Sequence, residues 1–255
     1  MEHSYLDQYS ALNSFIHRLE PRIKVIAFFI FIIFIILTPP ASFFTLKAYA
    51  GLMLAFILLS RIPPWVFLKR SSEAIPFILA MSLFILFMKP GRELWGYSLG
   101  ALRTSISHEG LAMFLNVVIK AFLCIFSTLL LIFSTNFIHL LKALEKLKVP
   151  SIFIMVVSFM YRYIFILQDE LEHMRQAKES RTVGGSHWFH TKALANMLGV
   201  LFVRTYERAE EVYLAMCARG FDGSIKTIYD FKIKAKDVYF LLALVSILAL
   251  ARAGA

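Results

Sequence analysis

Long stretches without charged side chains interrupt this sequence repeatedly, and they restrict the fold more than any other feature. The stretch Val25–Leu37 contains no polar residue at all. A helix needs about 20 mainly apolar residues to cross a bilayer, where only helices and closed barrels satisfy their own backbone hydrogen bonds. Five stretches can reach this length with their flanking residues, and we expect each to form a membrane-spanning helix: Val25–Leu37, Phe43–Ser60, Ala74–Met88, Leu111–Phe133 and Asp237–Arg252.

The composition indicates an integral membrane protein and excludes an ordinary soluble domain. Of the 255 residues, 59% are hydrophobic and only 17% are charged, which is typical of membrane chains. The net charge of +10 does not indicate nucleic-acid binding, because the basic residues lie between the apolar stretches. If four spans precede residue 136 and residues 136–236 stay on one face, that face carries 21 of the 27 Lys and Arg residues. The positive-inside rule then predicts a cytoplasmic N-terminus.

The segment between the fourth and fifth spans predicts three amphipathic helices on the cytoplasmic side. The first alternates leucines with Lys142, Glu145 and Lys146, so we expect it to lie along the membrane surface with these charges facing water. Ile152–Leu167, in the second, is apolar enough to cross the membrane, but a crossing there would divide the basic residues between both faces. Five spans therefore fit better than six. The predicted helices are Asn136–Val149, Ser151–Arg181 and Thr191–Arg219.

Two short triplets, each with an arginine between small or hydroxylated residues, end the second and third amphipathic helices. Gly220 lies where a left-handed helix cap is expected, so Arg219 should occupy the last turn. The helix dipole favours a cation at this position whatever its function, so one such triplet carries little information. Two of them in one apolar chain are more informative. The triplets are Ser180-Arg181-Thr182 and Ala218-Arg219-Gly220.

These triplets resemble the two signatures of the transmembrane T component of energy-coupling factor (ECF) transporters. The stretch Arg204–Gly223 is most similar to the cobalt/nickel, CbiQ-like branch, as is the motif His17-Arg18-Leu19-Glu20-Pro21-Arg22-x-Lys24. Glu20 stands where the family usually has Asp, and Ser180 where it usually has Ala. The resemblance covers nearly the whole chain.

The resemblance implies a subunit with membrane helices and three cytoplasmic coupling helices. It implies that Arg181 and Arg219, with their small neighbours, dock into two ATP-binding cassette ATPase subunits. It also implies that a separate substrate-binding membrane subunit holds the metal, so that this chain needs no metal or cofactor of its own.

The sequence lacks the motifs of the enzyme classes that we compared. His108-Glu109 begins an H-E-x-x-H motif, but residue 112 is Ala, so the second zinc ligand is missing. There is no phosphate-binding G-x-x-x-x-G-K-[ST] loop, so any ATP hydrolysis must come from partners. His187 and His190 are expected in a loop, and two ligands are too few for a metal site. We therefore expect no catalytic residue and no metal site.

These observations predict an all-α integral membrane protein with about five transmembrane helices and three amphipathic cytoplasmic coupling helices. The expected organisation is residues 1–135 with four spans, residues 136–236 as the coupling module, and residues 237–255 with the last span. We expect a non-enzymatic coupling subunit of an ECF importer in the cell membrane, serving cobalt or nickel ions. The alternatives are a self-contained secondary transporter or channel, and a coupling subunit that serves a vitamin.

Overall fold

The computed structural model describes residues 12, 14–39, 42–88, 93–99, 102–181, 184, 186–223 and 234–253. The regular secondary structure of these residues is α-helical apart from one β-hairpin, in agreement with the predicted fold class. The elements are α1 (Pro21–Leu37), α2 (Phe43–Ser60), α3 (Pro64–Ser72), α4 (Ile75–Met88), β1 (Glu93–Leu99), β2 (Leu102–Ser107), α5 (His108–Ser134), α6 (Phe137–Lys146), α7 (Ser151–Arg181), α8 (His187–Ala218) and α9 (Ala235–Ala253).

The helices predicted to cross the membrane form one compact unit, which comprises Ser4–Ala143 and Phe231–Ala255. Within it α5 packs against α1, α2, α3 and α4, while α9 packs against α1 and α2. The core is apolar and aromatic: the Phe67 and Phe133 rings meet edge to face with centroids 5.6 Å apart. Other large side chains, such as Phe29, Phe44 and Leu58, are exposed on the outside of the unit. Apolar residues on all faces of a helix suit a lipid environment.

Three described helices are long and apolar enough to cross a membrane by length and composition, namely Phe43–Ser60, Gly110–Ser134 and Ser151–Arg181. Helix α4 contains a shorter apolar stretch, Ile75–Phe84. Helix α7 is thus long and apolar enough to cross the membrane. The distribution of Lys and Arg residues, in contrast, favours a position of this helix on one face of the membrane. Helix α7 belongs to a different compact unit from the five predicted spans. Its cytoplasmic location stays a prediction.

The loop predicted between the third and fourth spans contains an antiparallel β-hairpin. Backbone pairing runs from Leu99 opposite Leu102 to Glu93 opposite Ser107, with a register irregularity near Trp95. The sequence indicated only a polar loop here, because short strands with glycines between them give a weak periodic signal.

The second compact unit, Leu144–Asp230, contains α7 and α8. Helix α7 has the predicted bounds, Ser151–Arg181. Helix α8 begins at His187, four residues before the predicted start at Thr191. The prediction that His187 and His190 lie in a loop was therefore wrong: both lie in the first turn of α8. Neither α7 nor α8 has a buried residue.

One side chain of α6 contradicts the amphipathic assignment. Lys142 was expected on the water-facing side, but it is 6% exposed, while Lys146 is exposed as predicted. Leu141, beside it, is buried as well. The helical wheel gives only the direction of a side chain on its own helix, and here a neighbouring surface covers part of the predicted polar side.

Candidate functional site

Arg219 is held at the end of α8 by a complete C-terminal capping motif. Gly220 has φ = +78°, the left-handed region that only glycine adopts without a penalty. The Phe221 N–H donates to the Met216 carbonyl at 3.1 Å, and the Gly220 N–H donates to the Cys217 carbonyl at 3.0 Å. These two bonds define a Schellman motif. The prediction that Gly220 caps the helix beside Arg219 is confirmed.

The surroundings of Arg219 leave room for another molecule. Ala218, Arg219 and Gly220 are all exposed, and a Cβ atom at Gly220 would meet nothing within 4 Å. The arginine is the C-cap residue, with φ = −92° and ψ = 7°. Its backbone is therefore fixed by the cap while its side chain projects from an open helix end.

Arg181 has a comparable place at the end of the other long helix. It is the last residue of α7 and is exposed. The Ser180 hydroxyl donates to the Gln176 carbonyl at 2.8 Å, so it satisfies a group of its own helix. Thr182 lies outside the described residues. Gly184, three residues after Arg181 in the sequence, has φ = +79°, in the left-handed region.

Helices α7 and α8 pack against each other and form an apolar groove that the sequence did not reveal. The groove has a volume of about 420 Å³. Methionines and aromatic residues, which adapt well to different partners, make up much of its lining. The Met216 and Phe221 side chains reach it from the capping motif beside Arg219. Only the methionines and aromatics on both helices could have suggested it; the residues are Met155, Val156, Phe159, Met160, Tyr163, Thr205, Ala209, Val212, Tyr213, Met216 and Phe221.

A polar contact joins the two helices next to this groove. The Arg204 guanidinium of α8 donates to the Glu170 carboxylate of α7. Charged side chains of α8, including Arg208 and Glu211, line a second depression of about 530 Å³ around this pair. In α8, a hydrogen bond to Cys217 raises the pKa of the Tyr213 hydroxyl. The packed helices α7 and α8 therefore present an apolar side and a charged side.

The described residues contain no group of three or more His, Cys, Asp or Glu side chains able to hold a metal ion. His187 and His190 are one helical turn apart in α8, and both are exposed or half-buried.

Lys120 belongs to the apolar helix α5, and its side chain reaches the end of the neighbouring helix α1. Its ammonium donates to the Thr38 carbonyl at 2.6 Å and to the Ile36 carbonyl at 3.4 Å. These carbonyls end α1 and have no partner in their own helix. Lys120 therefore supplies hydrogen-bond donors to the end of α1.

Comparisons with known proteins give consistent matches along the chain. The family model described as CbiQ, cobalt transport protein, matches residues 12–229. An uncharacterized protein of Methanocaldococcus jannaschii is 32% identical over 253 residues, covering 98% of this chain and 86% of the relative. The energy-coupling factor transporter transmembrane protein EcfT of Macrococcus caseolyticus is 32% identical over 233 residues, covering 86% and 84%. The EcfT protein of Listeria innocua is 31% identical over 235 residues, covering 88% and 86%.

Proposed function

Because the chain belongs to the CbiQ family, the transmembrane components of ECF transporters, we propose that it transmits ATP-driven motion from two ATPase subunits to a substrate-binding membrane subunit. It is a transporter subunit and not an enzyme. In this proposal the chain works as a coupler: its arginine-ended helices bind the ATPases, and its membrane helices contact the substrate-binding subunit.

The observation that carries the proposal is the pair of long helices, α7 and α8, that pack together and each end at an exposed arginine. A planar guanidinium can bond a carboxylate through two parallel hydrogen bonds, which gives directional docking that lysine cannot reproduce. The Schellman cap fixes the backbone from which Arg219 projects, so part of the ordering cost of docking is met before the partner arrives.

The exposure of α7 and α8 also supports binding to partners. Two helices of 31 and 32 residues without one buried residue leave a large apolar area in contact with solvent. Exposed apolar patches of this kind typically mark interaction sites. We infer that partner subunits cover this surface in the assembled transporter.

The cargo is proposed to be cobalt or nickel ion. The matching family is described as cobalt transport protein, and the His17–Lys24 motif resembles the same branch. Several relatives carry the EcfT name, which specifies no metal, so a vitamin is the alternative cargo. Uptake assays with radioactive cobalt and nickel in cells that express the complete transporter distinguish the two.

The proposed location is the cell membrane with the N-terminus and residues 136–236 in the cytoplasm. The uneven distribution of Lys and Arg supports this orientation. It also places both arginine triplets on the side where ATP is available.

The proposal is tested by replacing the arginines in the co-expressed transporter. Arg219→Ala should weaken ATPase binding by about 2–5 kcal/mol if Arg219 is buried against a carboxylate in the complex. Arg219→Lys should restore binding only in part, and Arg181→Ala should show the same kind of defect. ATPase co-purification in mild detergent measures the effect.

A matched control is Arg252→Ala, since Arg252 is also an exposed arginine in the last turn of a helix. If the arginines only complement helix dipoles, all these variants should lose just about 0.3–1 kcal/mol of helix stability. Normal ATPase binding and uptake in the Arg181→Ala, Arg219→Ala double variant would exclude the proposed docking role.

A further inference from the structure

A buried polar cluster joins the start of α1 to the end of α5. Lys24 is 2% exposed, and its ammonium donates to the Ser134 carbonyl at 2.7 Å and to the His17 carbonyl at 3.1 Å. The Thr135 hydroxyl lies 3.5 Å from the same nitrogen. Ser134 is the last residue of α5, so Lys24 supplies a donor to a helix end that has none of its own.

The same short segment of chain also holds the start of α9. The Glu20 N–H donates to Asp237 Oδ1 at 3.4 Å. The other oxygen of Asp237, Oδ2, accepts from the Lys234 N–H at 3.1 Å, so the carboxylate also caps its own helix. Asp237 is 4% exposed and Glu20 is 5% exposed.

Two acidic side chains, Glu20 and Asp237, and two basic ones, Arg22 and Lys24, meet in this cluster, and of these Arg22 is 20% exposed. Arg22 Nε lies 2.9 Å from Glu20 Oε1. Burial lowers the pKa of Lys24, and the charge of Asp237 opposes this shift. Burial raises the pKa of Glu20; Arg22 opposes the rise, and Asp237 adds to it. Buried charges are tolerated when they are paired and hydrogen-bonded, and the removal of one partner leaves the other uncompensated.

The two helix ends in this cluster flank the part of the chain that contains the second compact unit, Leu144–Asp230. The chain runs out of α5 at Ser134 and enters α9 at Ala235. Both points contact Glu20–Lys24, a segment far from either of them in sequence. A displacement of the intervening helices would therefore reach α1, α5 and α9 together.

We propose that this cluster, Glu20, Lys24, Ser134 and Asp237, is a fixed joint that keeps α5 and α9 together while the coupling module moves, which makes Lys24 and Asp237 positioning residues for transport. The inference rests on the proposed function, because it requires motion to pass from the module to the membrane helices. Without the joint, α5 and α9 could shift separately, and ATP hydrolysis would continue with less uptake.

The test uses the complete transporter in proteoliposomes, with ATP hydrolysis, cobalt uptake and ATPase co-purification measured on each variant. Lys24→Met should keep the ATPases bound and hydrolysing, while uptake per ATP falls by about tenfold, which lies within the range of effects seen in coupling networks. Lys24→Arg should restore most of the uptake, because it retains charge and donors. Asp237→Asn should lower uptake per ATP in the same way as Lys24→Met. If the Lys24→Met chain does not assemble with its partners, Asp237→Asn provides the test instead.

Lys120→Met is the matched control, since Lys120 binds the terminal carbonyls of α1 in the way that Lys24 binds that of α5. It should lower thermal stability yet leave uptake per ATP unchanged. Equal losses of uptake per ATP in Lys24→Met and Lys120→Met would overturn the proposal, as would unchanged coupling in Lys24→Met and Asp237→Asn. If the wild-type chain fails to bind the ATPases, the proposed function itself is wrong, and that result is separate from a coupling defect.

Discussion

The replacement of Gly220 by alanine tests whether the cap of α8 presents Arg219. The Schellman motif requires φ = +78° at residue 220. An L-residue pays about 1–2 kcal/mol in this region because its Cβ approaches the following carbonyl oxygen. A Cβ at Gly220 would meet nothing within 4 Å, so no packing term adds to or offsets this cost. The expected destabilisation of the cap is therefore about 1–2 kcal/mol.

This free energy sets an upper limit on the functional effect. A change of about 1.4 kcal/mol is tenfold in an equilibrium constant, so Gly220→Ala should reduce the ratio of capped to uncapped ends about five- to thirtyfold. Apparent ATPase affinity falls in proportion to the fraction of competent chain. The loss of apparent ATPase affinity is largest if the cap is only marginally formed in the free chain. This loss cannot exceed the factor by which the ratio of capped to uncapped ends falls.

The helix itself supplies a control. Gly199 lies inside α8, and a Cβ there also meets nothing within 4 Å. Since alanine is favoured over glycine in a helix interior, Gly199→Ala should stabilise α8 by about 0.5–1 kcal/mol. Gly220→Asn should fall between wild type and Gly220→Ala, because asparagine tolerates the left-handed region.

Two measurements check the reasoning on the same samples. Hydrogen exchange at the Gly220 and Phe221 amides, which close the cap, should accelerate in Gly220→Ala and not in Gly199→Ala. ATPase binding, measured by titration, should weaken only in Gly220→Ala. If Gly220→Ala weakens binding without faster exchange at these amides, or if exchange changes and binding does not, the link between cap and docking is refuted.

Three further outcomes are expected. Lys148 has φ = +69° at the end of α6, so Lys148→Gly should raise stability by about 0.5–1 kcal/mol; an unchanged or lower melting temperature would contradict this. Leu141 is 6% exposed, and Leu141→Ala should lower stability by about 2–5 kcal/mol, visible as earlier thermal aggregation in detergent, whereas no shift would mean that the site collapses freely. A reporter fused after Gly223 should read cytoplasmic and one after Ala255 external, and an external signal at Gly223 would rule out the five-span topology.

The sequence predicted features that depend on local physics. Val25–Leu37 has no polar residue, and such a stretch can only be helical in a bilayer. The end of α8 followed from the same kind of signal, because a glycine after a periodic helix predicts a left-handed cap. The family resemblance added the role expected of Arg181 and Arg219, which no periodicity could supply.

Contacts between residues that are far apart in the sequence could not be predicted from local patterns. Lys142 was assigned to water from its position on the helical wheel, yet it is buried. In the sequence, Lys24 was only one of several basic residues before the first span. In the structure its ammonium binds the end of α5. The start of α8 at His187 was missed as well, although Ser186, which is a favoured N-cap residue, stands directly before it.

The sequence alone determined which segments are apolar, where the long helices end and which residues stand at those ends, because these properties depend on neighbours within a few positions. Only the tertiary structure decided that Lys24 and Asp237 share one buried cluster and that α7 and α8 form an apolar groove. A buried charge is stable only where packing brings its partner within hydrogen-bond distance. That proximity arises only in the folded chain and could not be predicted from the order of the residues.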